Sequence, residues 1–163
     1  MDVAFHLNVP AAWPARSAYL CRLLAKAYAA GARVWAVVAE EEVIPLEQAL
    51  WTLPADDFVP HVRADAPALL LRRSPIVIAG PSAPLAGERN VLVNAQREWP
   101  SALDAAAAFA RVVEIVSDDE EDKAAARQRW RRYQARGLQP VAHDRTRRTA
   151  APAAPAAATQ EAP

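Results

Sequence analysis

Residues 33–38, Arg33-Val34-Trp35-Ala36-Val37-Val38, form an unbroken apolar run behind a single arginine. A half-exposed strand alternates apolar with polar side chains, so a run that is apolar at every position fits a strand covered on both faces in a mostly parallel sheet. Upstream, Val3, Phe5 and Leu7 alternate with Asp2, Ala4 and His6, the period of two that marks a strand with one buried face. Between these runs Pro10 and Pro14 mark a turn and Ser17 stands where it can cap a helix. Leu20, Leu23, Leu24 and Ala27 recur at helical spacing, and Gly31 suits the position past a helix end where φ turns positive. The three pieces make a β-α-β unit, whose right-handed crossover specifies an α/β layer architecture: a mostly parallel central sheet flanked by helices.

The alternation continues downstream. Pro45 fits the first turn of a short helix, with Leu46, Ala49, Leu50 and Leu53 as its buried stripe and Pro54 closing it. Residues 55–61 read as an ordered loop with Phe58 at its centre. Residues 76–79 and 91–94 read as strands on either side of a link carrying Pro81, Pro84 and Gly87, while 68–71 fit either element type. An Ala-rich helix is expected over 101–109 and a last strand over 111–116. After Pro140 apolar periodicity ends, and the Ala/Pro-rich stretch cannot bury enough surface to offset its ordering entropy. The expected organisation is one domain over residues 1–143 and a disordered tail over 144–163.

Composition narrows the function. Nineteen basic and nineteen acidic residues balance, so affinity for nucleic acid or an anionic membrane would have to come from local clustering. The single Cys21 leaves no internal disulfide and fits a reducing compartment. Met1-Asp2 opens on an acid, no basic segment followed by an apolar one comes after it, and no run reaches the ~20 apolar residues of a membrane span. A cytoplasmic protein without membrane association is expected.

The first turn, Asn8 to Pro14, holds no glycine, so backbone amides cannot close around a pyrophosphate there. The fold expected is therefore Rossmann-like without a nucleotide-binding loop, with no cofactor and no small-molecule substrate. His6, His61 and His143 are far apart, no Cys-x-x-Cys occurs, and Cys21 lies on an apolar helix face, so neither a metal site nor a nucleophile emerges. Glu40, Glu41 and Glu42 follow a strand end, where acids can act catalytically, but three adjacent acids in a loop are more often solvated.

Residues 117–137 carry more. Ser117 with Glu120 matches a capping box, acids load the first turn, Arg132 and Arg136 load the last, and Gly137 stops the helix. At about 100° per residue, Ala126, Trp130 and Tyr133 share a face that docks on the sheet, Arg127, Arg131 and Gln134 form the adjoining stripe, and Arg129, Arg132 and Arg136 are assigned to the far side. Spacing alone favours a half-buried tryptophan among solvated arginines. The sharper reading is a receptor for a peptide end that is both apolar and acidic, packing near Trp130 while Arg127 and Arg131 take carboxylates. Direct binding of single-stranded nucleic acid along the same arginine-rich helix is the alternative.

Several stretches, in order, resemble the chi subunits of bacterial DNA polymerase III holoenzyme: Cys21-Arg22-Leu23 with Lys26-Ala27-Tyr28 and Gly31-Ala32-Arg33-Val34; residues 46–51; Asp57-Phe58-Val59-Pro60-His61; residues 111–116; and Arg127-Gln128-Arg129-Trp130-Arg131-Arg132-Tyr133 followed by Gly137. The resemblance implies a non-catalytic accessory subunit that reaches DNA indirectly. Its implied partners are the psi subunit of the clamp-loader complex and the acidic, Phe-ended C-terminal tail of single-stranded-DNA-binding protein. Carried over by position, the tail site uses Arg127, Trp130 and Arg131 with Val116 and Trp51 as apolar wall, and Phe58 belongs to the psi-facing surface. The family's usual Tyr is Trp130 here and a common Lys is Arg131, which keeps the chemistry and alters the pocket's shape.

Overall fold

The apolar run around Trp35 becomes β2 (Val34–Val37), every residue of which is buried. It lies inside a seven-stranded sheet of order β3-β4-β2-β5-β6-β1-β7. A computed structural model describes residues 1–105 and 109–146. The other strands are β1 (Asp2–Val9), β3 (His61–Arg63), β4 (Ile76–Ala79), β5 (Val91–Asn94), β6 (Arg111–Ser117) and β7 (Val141–Asp144), and the helices are α1 (Ala15–Ala29), α2 (Val43–Trp51), α3 (Ala68–Arg73) and α4 (Glu120–Ala135). Every ladder is parallel, so the expected α/β sheet is present and wholly parallel.

Two apolar layers sandwich it. On one face Leu20, Cys21 and Leu24 of α1 and Leu46 and Leu50 of α2 meet Val34, Ile76, Val93 and Ile115. On the other, Leu71 of α3 and Ala126 and Tyr133 of α4 meet Phe5, Val77, Leu92, Val112 and Val116. The period-two rule distributes β1 between the layers: Phe5 packs with Tyr133 and Trp130, whereas His6 points the other way and bonds the Tyr19 hydroxyl at 2.6 Å. None of the described helices is long and apolar enough to cross a membrane.

Several expectations need correction. Ser17 does not cap α1, which begins at Ala15 with Pro14 as its N-cap; the Ser17 hydroxyl instead donates to the Pro14 carbonyl at 2.8 Å. The helix expected over 101–109 is a single 3₁₀ turn, Ser101–Leu103, and residues 106–108 lie outside those described. Alanine favours helix but supplies little stripe to bury, and the chain must return to β6 at Arg111. The loop expected over 55–61 gives way at His61 to β3, and residues 111–116 are not the last strand, because β7 follows α4. β3 and β7 occupy the two sheet edges, where short, partly exposed strands carry no apolar periodicity. The tail assigned to 144–163 begins at the last residue of β7, and residues 147–163 lie outside those described.

Candidate protein-binding site

A buried carboxylate anchors α4. Glu114, wholly buried in β6, accepts from Tyr133 Oη at 2.8 Å, Arg129 Nε at 2.8 Å and Asn94 Nδ2 at 2.9 Å. Burial pushes the Glu114 carboxyl up, and Arg129 opposes that most strongly, followed by the hydrogen bonds from Tyr133, Asn94 and Arg129. Burial and the adjacent Glu114 push the Tyr133 phenol well above its ordinary value, so it stays a donor. Arg129 also donates to the Arg97 carbonyl. It is therefore a core residue, and its assignment to the far side of the helix is corrected.

The cap of α4 differs too. Ser117 still belongs to β6 and cannot serve as N-cap; Asp119 does, its Oδ1 accepting from Glu121 N at 2.9 Å and Asp122 N at 3.1 Å. Asp122 reaches back to Ser117 N at 2.8 Å. The expected box is therefore replaced by an Asp119 cap, with Asp122 tying the helix start to β6 and the Asp119 amide donating to the Ser117 hydroxyl at 3.3 Å. Gly137, at φ 78, ends the helix as expected.

This anchoring turns one stripe of α4 over β6 and β1, next to the sheet edge at β7. Between helix and strands lies a cleft of about 540 Å³, within the range of small-ligand and peptide sites. Its apolar wall is Phe5, Leu7, Val116, Ala126 and Trp130. Trp130 is half-buried and tilts against Phe5, with ring centroids 5.0 Å apart. Its polar rim is Lys123, Arg127, Arg131, Gln134 and Asn8, and among the described residues no carboxylate lines it. Among the described residues neither Arg127 nor Arg131 makes an ion pair. The other outward arginines of α4 are engaged: Arg132 and Arg136 reach Asp104 at 3.3 and 2.6 Å and stack over Trp99.

Of the five residues assigned to the tail site, four converge here: Arg127, Trp130, Arg131 and Val116. Trp51 does not. It stands at the end of α2, 60% exposed, with its ring 5.7 Å from that of Phe58 and 4.8 Å from that of His61. Trp51 and Phe58 thus form a separate exposed aromatic patch at the β3 edge, distant in sheet order from β1. Sequence reasoning missed Phe5, Leu7, Asn8 and Lys123. Lys123 was available from the helical wheel, four residues before Arg127; the β1 residues were not, because only the sheet order places them beneath α4.

The acids after β2 are structural where they are engaged. Glu42 accepts from Arg16 Nε at 2.8 Å, and Arg16 also donates to the Ala95 carbonyl. Burial raises the Cys21 thiol above its ordinary value, which disfavours the reactive thiolate.

A family model described as DNA polymerase III chi subunit, HolC, matches residues 1–141. DNA polymerase III subunit chi of Escherichia coli (strain K12) is 32% identical over 121 residues, covering 73% of this chain and 78% of that protein. DNA polymerase III subunit chi of Pseudomonas aeruginosa is 31% identical over 131 residues, covering 79% of this chain and 87% of that protein. The match runs through six of the seven described strands in full, all four described helices and every described residue that lines the cleft, so the chain belongs to the DNA polymerase III chi subunit family.

Proposed function

We propose that this chain is a non-catalytic accessory subunit that links the clamp-loader complex to single-stranded-DNA-binding protein during DNA replication, by holding that protein's acidic, Phe-ended C-terminal tail in the α4 cleft. The observation that carries this reading is the pairing of an aromatic socket with three cations on one rim and no carboxylate in the lining. The terminal phenylalanine ring packs against Trp130 and Phe5, where offset and edge-on aromatic contacts are favourable. Arg127, Arg131 and Lys123 take the terminal carboxylate and the acidic side chains through charge-assisted hydrogen bonds. A short tail loses ordering entropy on binding, which sets the expected affinity on the order of micromolar.

Isothermal calorimetry with the tail peptide tests the site. Arg127→Ala is expected to weaken binding by about 1.5–3 kcal/mol, roughly ten- to a hundredfold in Kd. Arg132→Ala, whose guanidinium is held by Asp104 and Trp99, is the control and stays near wild type. Equal affinities for wild type and Arg127→Ala would remove the cleft from consideration.

For the psi subunit, the exposed Trp51 and Phe58 patch is the surface the reading favours. Large aromatics exposed side by side are typical of interface anchors, and this patch shares no residue with the α4 cleft.

A further inference from the structure

A second, larger groove of about 1130 Å³ lies on the opposite face of the sheet. One wall is the outer flank of α1 and the other is the β7 edge; β5, β6 and β1 form the floor between them. Four fixed cations surround it: Arg22 and Lys26 one turn apart on α1, Arg111 at the amino end of β6, and Arg145 just past β7. Arg145 stacks over the Tyr19 ring at 4.5 Å. Among the described residues Arg22, Lys26 and Arg111 have no ion-pair partner. Among the described residues one carboxylate lines the groove, Asp144, which already accepts from Asn8 Nδ2 and from Thr146 N, both at 2.9 Å.

In a chain with no net charge, this is a marked local excess of positive charge, and the groove's own histidine responds to it. His6 is held down to about 4, first by burial and then by His143, Arg111, Lys26 and Arg145.

Length and floor identify the class of ligand. Arg111 is level with Asp2 of β1 and Asp144 is level with Leu7, five residue steps apart, or about 17 Å at ~3.3 Å per step. The cations are thus strung along the groove rather than gathered at one end. The floor is of aliphatic residues, Val91, Val93 and Val113, and offers no aromatic socket comparable to that beside Trp130. Stackable rings, Tyr19 and the exposed His143, stand at the margins. A regularly charged, extended polymer fits this layout better than a peptide with one apolar end.

We propose that this groove binds the sugar-phosphate backbone of single-stranded nucleic acid, its phosphates on Arg22, Lys26, Arg111 and Arg145. The proposal does not rest on the tail site, because Phe5 faces one cleft and His6 the other, and among the described residues the two linings share only Leu7. Part of the groove's rim, His143 to Arg145, also lies beyond the residues matched by the family model.

The test is fluorescence anisotropy of a labelled oligothymidylate of about 12 nucleotides with the full chain, between about 20 and 200 mM salt. Four phosphate contacts predict a log-affinity against log-salt slope near −3, at about 0.7 per contact for single strands. Arg22→Gln with Lys26→Gln is expected to lower affinity at least about tenfold and to halve the slope. Both sites are exposed on α1, where glutamine is a good helix former. Arg111→Gln, on a different element, is expected to weaken binding severalfold, so a folding defect in α1 cannot account for both losses. Arg127→Ala with Arg131→Ala is expected to stay within about twofold of wild type. Absence of salt-dependent binding overturns the proposal, as does loss confined to the α4 double variant. So does displacement by equimolar pyrophosphate or acidic Phe-ended peptide, or equal affinity for a blunt duplex.

Discussion

Glu114 is a carboxylate with no exposed surface, flanked in its strand by Val112, Val113, Ile115 and Val116. Its two oxygens receive three side-chain donors, and one of them, Arg129, is itself 4% exposed. Replacing both members of such a pair with apolar residues can be nearly neutral, but neutralising one strands the other's charge in the interior. Glu114→Gln is therefore expected to cost about 3–5 kcal/mol, read from the shift in urea midpoint; an unchanged midpoint would show that the pair does not anchor α4. The sequence carried the clue, since Glu114 interrupts an apolar strand. Arg129 is expected on the far side with Arg132 and Arg136, although its wheel angle sits beside Tyr133. Arginine is usually exposed, and the buried counter-ion Glu114 reverses that in the fold.

At the scale of the element, α4 is the part of the chain most legible before folding. Its acidic start, its basic end and Gly137 all stand where the helix needs them. Only the cap moved, because β6 runs on through Ser117 and Asp119 stands in extended backbone at the helix entrance. Asp119→Ala removes the acceptor of two helix-start amides and is expected to cost about 1 kcal/mol. In a domain of this size that is a fall in melting temperature of about 2–4 °C, measurable by calorimetry, whereas Ser117→Ala in the same assay is expected to lower it less. The elements that escaped sequence reading, β3 and β7, are edge strands. Their ordering comes from pairing with β4 and β1, a contact that no local pattern announces.

For the whole molecule, the parallel sheet keeps its exposed surfaces apart. The α4 cleft opens at the β1 side on one face, and the Trp51 and Phe58 patch lies at the β3 edge. Sites that share no partners behave additively. Trp51→Ala combined with Phe58→Ala is therefore expected to leave tail-peptide affinity within about twofold and to abolish co-purification with psi, while Arg127→Ala does the reverse. Calorimetry and pull-down on the same variants check this, and a joint loss in either variant would place the two partners on one surface.

What the sequence determined by itself is what short-range physics controls: the apolar run of a doubly covered strand, the alternation of β1, the helix carrying Arg127, Trp130 and Arg131, and the absence of a glycine-rich phosphate loop. Tertiary structure alone decided which distant residues meet. Sheet order β6-β1-β7 brought Phe5 and Leu7 under α4, moved Trp51 away from Trp130, and gathered cations from α1, β6 and the segment after β7 around one groove. Such meetings depend on the order of strands across the sheet. That order arises from long-range packing of two apolar layers, and local spacing carries no record of it.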